Sequence, residues 1–390
     1  MPWRVETPMS QRLEFVEAFA RGHWSMSELC ARFGISRKTG YKWWQRYEAE
    51  DVASFQERSR RPHTMPTRLD GDLAALFLHT RQAHPTWGPR KLLAYLMRRQ
   101  PRRTDWPVAS TIGALLKREG LVRARRRRPH PGHPGRPLTP MDAPNALWTI
   151  DFKGQFKLGS GAYCYPLTVV DGYSRYLLAC QGLSSTAGVG ARGVLERLFQ
   201  TYGLPDRIRS DNGAPFATCA LGRLSALSVW WLKLGITPEL IQPAHPEQNG
   251  RHERMHRTLK AEATRPAASS PGRQQRRFDA FREEYNTERP HEALGQEPPA
   301  AHYRPSPRPY PRSVRAPEYP RHFETRYVST NGGIRWHHRW VNVSHVLAEE
   351  YVGLEEVADG VWSVYFGDLL LGRLDERDYR MHGAHNRNRI

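Results

Sequence analysis

Three acidic residues stand in contexts that suit metal-dependent chemistry. Asp151 interrupts the apolar run Trp148–Phe152, and an acid there is costly to bury unless it has a partner or a metal. Asp211 ends a predicted strand at an Asn-Gly turn, where side chains face a cleft rather than a core. Glu253 stands three residues after Gly250, on a predicted helix. One such acid is usually structural or solvated, but three in this order favour a shared site.

Three converging carboxylates suit phosphodiester chemistry. Two hard cations roughly 3.5–4 Å apart can activate a nucleophile and stabilise the leaving oxygen of one in-line displacement. Magnesium prefers oxygen ligands, and carboxylates offset the charge of a pair of ions. The sequence therefore predicts that Asp151, Asp211 and Glu253 are catalytic residues that hold two Mg²⁺ or Mn²⁺ ions.

Residues 143–305 have the alternation of strands and helices that could bring these acids together. Strands are predicted first, and an α/β pattern follows them. Strands are expected over residues 148–158, 163–183 (broken near 171–172) and 206–210, and helices over residues 189–202, 221–234 and 248–263.

Several sequence words in this segment resemble the DDE catalytic core shared by retroviral integrases and bacterial insertion-sequence transposases. The resemblance implies an RNase-H-like α/β fold in which Asp151, Asp211 and Glu253 are the catalytic ligands. The N-terminal sequence has no integrase-type His/Cys zinc module, which favours a bacterial element. The matching words are the Asp151 strand, Ser210–Gly213, Pro246–Glu253, Tyr285-Asn286, Arg289-Pro290-His291 and Ala293-Leu294.

Two glutamates compete for the third position of the site. Glu247 lies 36 positions after Asp211, a spacing familiar from the retroviral enzymes, whereas Glu253 lies 42 positions after it. Glu247 follows a proline in a turn, but Glu253 stands on a helix at the offset where the family's glutamate stands. A metal ligand must be held by a rigid element, so Glu253 is the predicted ligand.

The N-terminal residues 1–58 have the pattern of a helix-turn-helix unit. Ser25 and Glu28 predict a capping box, and Ser36 can cap a third helix that opens with basic and hydroxyl side chains. A small three-helix bundle with a solvated basic face is the alternative. The predicted DNA contacts are Arg37, Lys38, Thr39 and Lys42 here, together with Arg257 and Lys260, which share the helix face of Glu253.

Two further N-terminal segments precede the core. Residues 67–122 predict a second helix-turn-helix-like domain with apolar stripes on either side of Trp87. Residues 123–142 form a basic linker that is too polar to pack. Its Arg125, Arg126, Arg127 and Arg128 either lie along DNA phosphates or belong to a passive solvated tether.

The C-terminal part is predicted to form a separate β-domain. Eight prolines fall between Pro298 and Pro320, and residues 306–320 are expected to be a stiff, extended linker. Beyond it, Asn331-Gly332 and Asp359-Gly360 predict hairpin turns. Residues 321–380 are therefore expected to form a small antiparallel β-barrel.

The amino-acid composition limits the classes of protein to which the chain can belong. The 390 residues carry a formal net charge of +20, which favours a polyanionic partner such as DNA. Part of that charge can reflect codon bias, since the chain has 51 arginines and 8 lysines. The four scattered cysteines argue against a disulfide framework, and no apolar run predicts a membrane span or a signal peptide. A cytoplasmic protein, nucleoid-associated when bound to DNA, is expected.

The sequence as a whole predicts a multi-domain bacterial DNA transposase. It would bind terminal inverted repeats, cleave 3′ ends by metal-activated water and join them to a target duplex by strand transfer. The resemblance also implies a homo-oligomer on DNA. The alternatives are a catalytically idle DNA-binding regulator of the same fold and an RNase-H-like nuclease without strand transfer. The intact acidic triad opposes the first, and the accessory domains are unnecessary for the second.

Four other polar residues of the core receive smaller roles. Asp171 is interpreted as a turn-former rather than a fourth ligand. His245 and Asn249 either contact phosphate or water, or only shape the turn before the Glu253 helix. His291 is interpreted as structural.

Overall fold

The chain divides into two units, Met1–Arg68 and Leu69–Ile390. The computed structural model describes residues 7–50, 55, 69–122, 139–242 and 245–383, and the predicted contacts Arg125 to Arg128 lie outside these ranges. None of the helices within the described ranges combines the length and apolar character needed to cross a bilayer.

The first unit contains three helices, α1 (Pro8–Ala20), α2 (Met26–Arg32) and α3 (Arg37–Glu50). The predicted capping box is confirmed, because the Ser25 hydroxyl accepts from the backbone N–H of Glu28 and the Glu28 carboxylate accepts from that of Ser25. Gly40 lets α3 approach α1 and α2 closely, since a Cβ there would lie 2.5 Å from Cys30 Sγ. This fixes the third helix of the predicted helix-turn-helix plan.

The second unit begins with α4 (Gly71–Ala83), α5 (Pro89–Arg99) and α6 (Ala109–Arg118). Their apolar faces meet around Phe77, Trp87, Leu92 and Ile112, all fully buried. The helical prediction for this segment is therefore confirmed, while its exact limits as a domain remain a prediction.

The core is built on a mixed sheet of β1 (Trp148–Phe152), β2 (Phe156–Lys157), β3 (Tyr163–Asp171), β4 (Leu177–Leu183), β5 (Arg207–Ser210) and β6 (Thr237–Leu240). Its order is β2–β3–β1–β5–β6, with β4 also paired to β3. β1 is antiparallel to β3 and parallel to β5, and β5 is parallel to β6. The predicted order of strands followed by an α/β pattern is confirmed.

Four helices cover this sheet: α7 (Gly188–Tyr202), α8 (Ala226–Lys233), α9 (Gly250–Glu262) and α10 (Pro271–Thr287). The helix expected over 221–234 is shorter, because Ser225 caps it and a separate 3₁₀ turn precedes it. Neither β6 nor α10 was predicted. α10 has only a few apolar residues, and three of them, Phe278, Phe281 and Tyr285, are buried against the sheet.

The bundle α4–α6 docks on the core through polar contacts. His84 Nδ1 lies 2.9 Å from Glu284 Oε1 of α10, and inside the core Arg289 Nη1 lies 2.6 Å from Glu262 Oε1 at the end of α9. The Thr86 hydroxyl joins this second pair by donating to Glu262. The second helical segment and the core therefore share one packed unit.

The Pro-rich segment lies against the core instead of spanning free space. Arg308 Nη2 donates to the carbonyl oxygens of Leu234 and Gly235, and Tyr310 packs against Phe199. The segment has no regular helix or strand between residues 303 and 322, which agrees with the predicted stiff, extended linker.

The C-terminal strands are β7 (Glu324–Tyr327), β8 (Gly333–Trp336), β9 (Arg339–Asn342), β10 (Tyr351–Ala358), β11 (Val361–Phe366), β12 (Leu369–Asp375) and β13 (Arg380–Gly383). One antiparallel sheet has the order β13–β12–β11–β10–β7, and β8 and β9 pair separately. The Asp359-Gly360 hairpin is confirmed by the β10–β11 pairing. The Asn331-Gly332 turn is present, with the N–H of Gly332 donating to the carbonyl of Ser329 at 2.8 Å, but it does not join paired strands, because β7 pairs with β10.

The predicted small β-barrel is also corrected. Within residues 321–383 as described, β7 and β13 do not pair with each other, so the sheet is open. Its apolar face is covered by Ile334, Trp336 and Val341 of the separate β8–β9 pair, together with Leu224 and Val229 of the core, all in one buried cluster.

Candidate active site

The parallel pairing of β1 and β5 sets two of the predicted acids side by side. Thr149 is opposite Arg209 in this pairing, so Asp151 and Asp211 stand level two residues further along. Both therefore lie at the carboxyl ends of neighbouring strands. The Asp151 side chain is 21% exposed, which makes it reachable from solvent but largely desolvated.

The charges of both other predicted acids affect Asp151. Burial raises the pKa of Asp151 to about 7, and the negative charge of Asp211 adds to that rise. A hydrogen bond from the Phe152 backbone and the charge of Lys153 oppose it, while the charge of Glu253 again raises the pKa. All three carboxylates thus act on one small region.

A tight turn fixes the direction of Asp211. Its Oδ1 accepts from the backbone N–H of Gly213 at 3.2 Å. Asn212 Nδ2 donates to the carbonyl of Ile241 at 2.8 Å, which ties the turn to the end of β6. The Asn-Gly sequence therefore holds the carboxylate at the sheet edge.

Glu253 occupies the first turn of α9. Met255 and Leu259 bury the opposite face of this helix, at 2% and 0% exposure. Glu253, Arg257 and Lys260 are all exposed. The predicted shared face of these three residues is confirmed, while their roles remain predictions.

Two histidines beneath Asp151 were missed by the sequence reasoning. His252 and His256 lie on the buried side of α9, and Asp151 with these two rings can offer ligand atoms within 4.8 Å of one another. His256 Nδ1 lies 3.6 Å from Asp151 Oδ2. Helical spacing could have indicated that both histidines face inward, because positions 252, 255, 256 and 259 form the buried stripe of a helix.

Threonine hydroxyls hold both rings. The Thr149 hydroxyl lies 2.7 Å from His252 Nδ1, and the Thr168 hydroxyl lies 2.7 Å from the Nε2 atoms of both His252 and His256. Burial lowers the pKa of His252 to about 3 and that of His256 to about 2. Both rings are therefore neutral near pH 7.

Comparison with known families identifies the domain that carries this site. Models of the integrase core domain match residues 141–246 and 234–299. Residues 141–299 form an integrase core. A helix-turn-helix domain matches residues 11–63, and a homeodomain-like domain matches residues 39–116. The helical segments before the integrase core therefore belong to DNA-binding families.

Relatives of the integrase core occur in insertion elements and retroviruses. The uncharacterized 31.7 kDa protein of insertion element IS407 from Burkholderia multivorans is 30% identical over 185 residues, covering 47% of this chain and 64% of that protein. The 39.2 kDa protein of IS476 from Xanthomonas euvesicatoria is 28% identical over 260 residues, 65% of this chain and 71% of that protein. The Gag-Pol polyprotein of baboon endogenous virus is 34% identical over 122 residues, 31% of this chain but 7% of the polyprotein. The resemblance to insertion-sequence transposases with an integrase-like core is confirmed.

Solved structures of retroviral integrases also align with the chain. A simian T-cell lymphotropic virus intasome with a PP2A regulatory subunit shows 16% identity and a TM-score of 0.38, covering 76% of this chain and 97% of that chain. The HTLV-2 integrase catalytic core with magnesium shows 14% identity and a TM-score of 0.34, covering 41% and 97%.

The acidic end of the integrase core fits divalent cations. Burial, with the charges of Asp211 and Glu253, raises the pKa of Asp151, so a positive charge there would relieve an electrostatic cost. Carboxylate oxygens are the ligands that Mg²⁺ prefers. Among the described residues, the group whose ligand atoms lie within 4.8 Å of one another is Asp151, His252 and His256, so Asp211 and Glu253 remain predicted ligands.

Asp171 of the integrase core is a turn-former, as predicted. It is fully buried, its Oδ1 accepts from the Asn145 backbone at 2.8 Å, and its Oδ2 accepts from the Ser174 backbone and hydroxyl at 2.8 and 2.6 Å. Burial raises the pKa of Asp171, and these hydrogen bonds oppose that rise. With its oxygens already accepting hydrogen bonds, it is poorly placed as a fourth ligand.

The turn before α9 and the closing segment contain the other minor candidates. Asn249 is buried, and its Oδ1 has no partner among the described atoms. His245 is half-buried, so its role stays open. His291 is neutral, because burial lowers its pKa to about 3, and its ring packs against Tyr285. This agrees with a structural role.

The predicted recognition residues lie at the start of α3. Arg37, Lys38 and Lys42 are exposed, and Lys42 Nζ lies 4.6 Å from the ring centre of Trp43. Thr39 is half-buried and its hydroxyl lies 2.9 Å from that of Ser36, so it helps to cap the helix. The three cations are thus accessible to a ligand.

Proposed function

We propose that this protein is a DNA transposase that cleaves the 3′ ends of its element and joins them to target DNA. The observation that supports the proposal is the parallel pairing of β1 and β5, which sets Asp151 and Asp211 level at neighbouring strand ends, while the charge of Glu253 also acts on Asp151. The match to the integrase core domain and the relatedness to insertion-element proteins support it.

The three carboxylates would hold the divalent cations of the reaction. When bound, such ions lower the pKa of a water or hydroxyl nucleophile and stabilise the leaving oxygen. Asp151 and Asp211 project from neighbouring strand ends, and Glu253 is held by the first turn of α9. Rigid elements of this kind keep ligands in place while positions remain open for phosphate oxygens.

Basic residues would position the DNA. Arg257 and Lys260 extend the exposed face of α9 away from Glu253, where they can contact the backbone beside the reacting phosphate. Arg37, Lys38 and Lys42 at the start of α3 would read the terminal inverted repeats, as a recognition helix does. Thr39 would support them through its capping contact, and Arg125 to Arg128 would add phosphate contacts.

Assembly on two element ends would require at least two copies of the chain. One copy supplies one set of three carboxylates, and two ends must be joined to one target. A homo-oligomer on DNA, acting in the cytoplasm and associated with the nucleoid when bound, is the form that we propose.

A comparison of two glutamate variants tests the active-site assignment. Full-length wild type, Glu253→Gln and Glu247→Gln would be assayed side by side for end cleavage and strand joining with Mg²⁺ or Mn²⁺. Loss of residues that only orient metal ligands commonly costs 10–100-fold, so Glu253→Gln should reduce both steps by about 100-fold or more. Glu247→Gln should keep most of the activity.

Two results would contradict this proposal. If Glu247→Gln is inactive and Glu253→Gln is active, the third ligand is misassigned. If the wild type cleaves DNA but never joins it, the protein is a nuclease and not a transposase.

A further inference from the structure

His256 faces the candidate metal site from below. It lies on α9 one turn after His252, is 6% exposed, and places Nδ1 3.6 Å from Asp151 Oδ2. A direct N–H···O hydrogen bond spans about 2.7–3.2 Å, so these two atoms are not hydrogen-bonded to each other. A buried nitrogen and a carboxylate oxygen therefore face each other across a gap.

The hydroxyl of Thr168 determines which nitrogen of His256 carries hydrogen. This hydroxyl lies 3.0 Å from the Asp151 carbonyl oxygen and 2.7 Å from the Nε2 atoms of both histidines. A hydroxyl has one hydrogen and two lone pairs. When the hydrogen points to the carbonyl, which can only accept, both Nε2 atoms donate to Thr168.

This arrangement leaves one lone pair without a donor. With hydrogen on Nε2, the neutral ring of His256 presents an unprotonated Nδ1 to Asp151. His252 differs, because both of its ring nitrogens lie 2.7 Å from threonine hydroxyls, Nδ1 from that of Thr149 and Nε2 from that of Thr168. Both nitrogens of His252 are used, so His256 alone of the two offers a free ligand atom.

The arrangement matches the usual surroundings of a metal-binding histidine. Such a ring donates its second N–H to a fixed oxygen acceptor, as His256 does to Thr168. Ligand bonds of about 2.1 Å separate two ligands of one ion by roughly 3–4 Å, and the Nδ1–Oδ2 distance of 3.6 Å falls in that range. The gap is thus of the size that one cation would bridge.

We propose that His256 Nδ1 is a nitrogen ligand of the cation held by Asp151, with Thr168 fixing the tautomer. The proposal rests on the proposed function only in requiring that Asp151 hold a cation. Imidazole binds Mn²⁺ and later transition metals more readily than Mg²⁺, which prefers oxygen. His256 would therefore shift the preference of this site towards Mn²⁺.

Pulsed electron paramagnetic resonance of Mn²⁺ bound to the full-length protein tests this proposal. A directly bound imidazole couples its ¹⁴N nucleus to the ion, and this coupling is read without any DNA or turnover. We expect the coupling in the wild type and its loss in His256→Asn, with Mn²⁺ affinity lower by about tenfold or more. His382→Asn, which alters an exposed histidine of β13, should leave both unchanged.

The outcomes separate this inference from the proposed function. Mn²⁺ that binds in the wild type and is lost in Asp151→Asn, but shows no ¹⁴N coupling, overturns the role of His256 and leaves the carboxylate site standing. Coupling that persists in His256→Asn also overturns it. If the wild type binds no Mn²⁺ at all, the proposed function fails together with this inference. The wild-type spectrum is decisive even if His256→Asn does not fold.

Discussion

Asp151→Asn should stabilise the metal-free protein at pH 8. Burial and the neighbouring charges raise the pKa of Asp151 from an ordinary 3.8 to about 7. Each pKa unit corresponds to about 1.4 kcal/mol, so the ionised carboxylate lowers the free energy of unfolding by about 4 kcal/mol. Asparagine keeps a similar shape and can accept the hydrogen bond from Phe152, but it carries no charge.

The sign and the pH window follow from the direction of the shift. Between about pH 4 and pH 7 the folded protein binds more protons at Asp151 than the unfolded chain, so the wild type loses stability as pH rises. The variant has no such group. Its advantage should therefore be about 1.7 kcal/mol at pH 5 and full at pH 8, where about 4 kcal/mol corresponds to a Tm higher by roughly 4–8 °C.

Thermal unfolding of the full chain with a chelator, at pH 5 and pH 8, measures this difference. The full chain is needed because the C-terminal sheet and α4–α6 cover surfaces of the integrase core. Asp368→Asn, on an exposed turn, is the control and should change the Tm little at either pH. Millimolar Mg²⁺ or Mn²⁺ should raise the Tm of the wild type but not that of Asp151→Asn. An Asp151→Asn protein that is less stable than the wild type at pH 8 would refute the reasoning.

Two further predictions concern DNA binding and the docking of the helical bundle. Lys38→Gln should weaken binding to the terminal repeat and lower the slope of log affinity against log salt concentration by about one. Arg21→Gln, at the C-cap of α1, should do neither. Equal effects of the two variants in a salt titration would contradict the recognition role of α3. Glu262→Gln should cost about 3 kcal/mol in urea unfolding, because Arg289 is 7% exposed and would lose its partner. Glu292→Gln breaks an exposed pair and should change stability by under 1 kcal/mol, so equal losses would contradict the argument.

The sequence was most informative where local chemistry is distinctive. Asp151 in an apolar strand, Asp211 before Asn-Gly and Glu253 after Gly250 each have a local reason to stand where they do. Their convergence agrees with the strand pairing and helix that the structure shows. The strand order itself involves contacts between distant segments, which local patterns do not record.

Nonlocal packing explains what sequence reasoning missed. His252 and His256 occupy core positions of α9. Their ring nitrogens became candidates for a role at the site only through their contact with the hydroxyl of Thr168 on β3. The C-terminal sheet shows a similar dependence on distant contacts, because part of its apolar face is covered by Val229 of α8, more than 90 residues earlier in the chain. A strand pattern indicates that an apolar face must be covered, but not by what.

The helix α9 links the candidate chemistry to the DNA-binding part of the second unit. Glu253 lies in its first turn, and Glu262, its last residue, pairs with Arg289 and accepts from Thr86 beside the α4–α6 bundle. A 13-residue α-helix spans about 20 Å and moves as a rigid body. The docking of α4–α6 therefore helps to fix the direction of Glu253. Substituting the buried pair should disturb the active-site end of the helix as well as the stability of the unit.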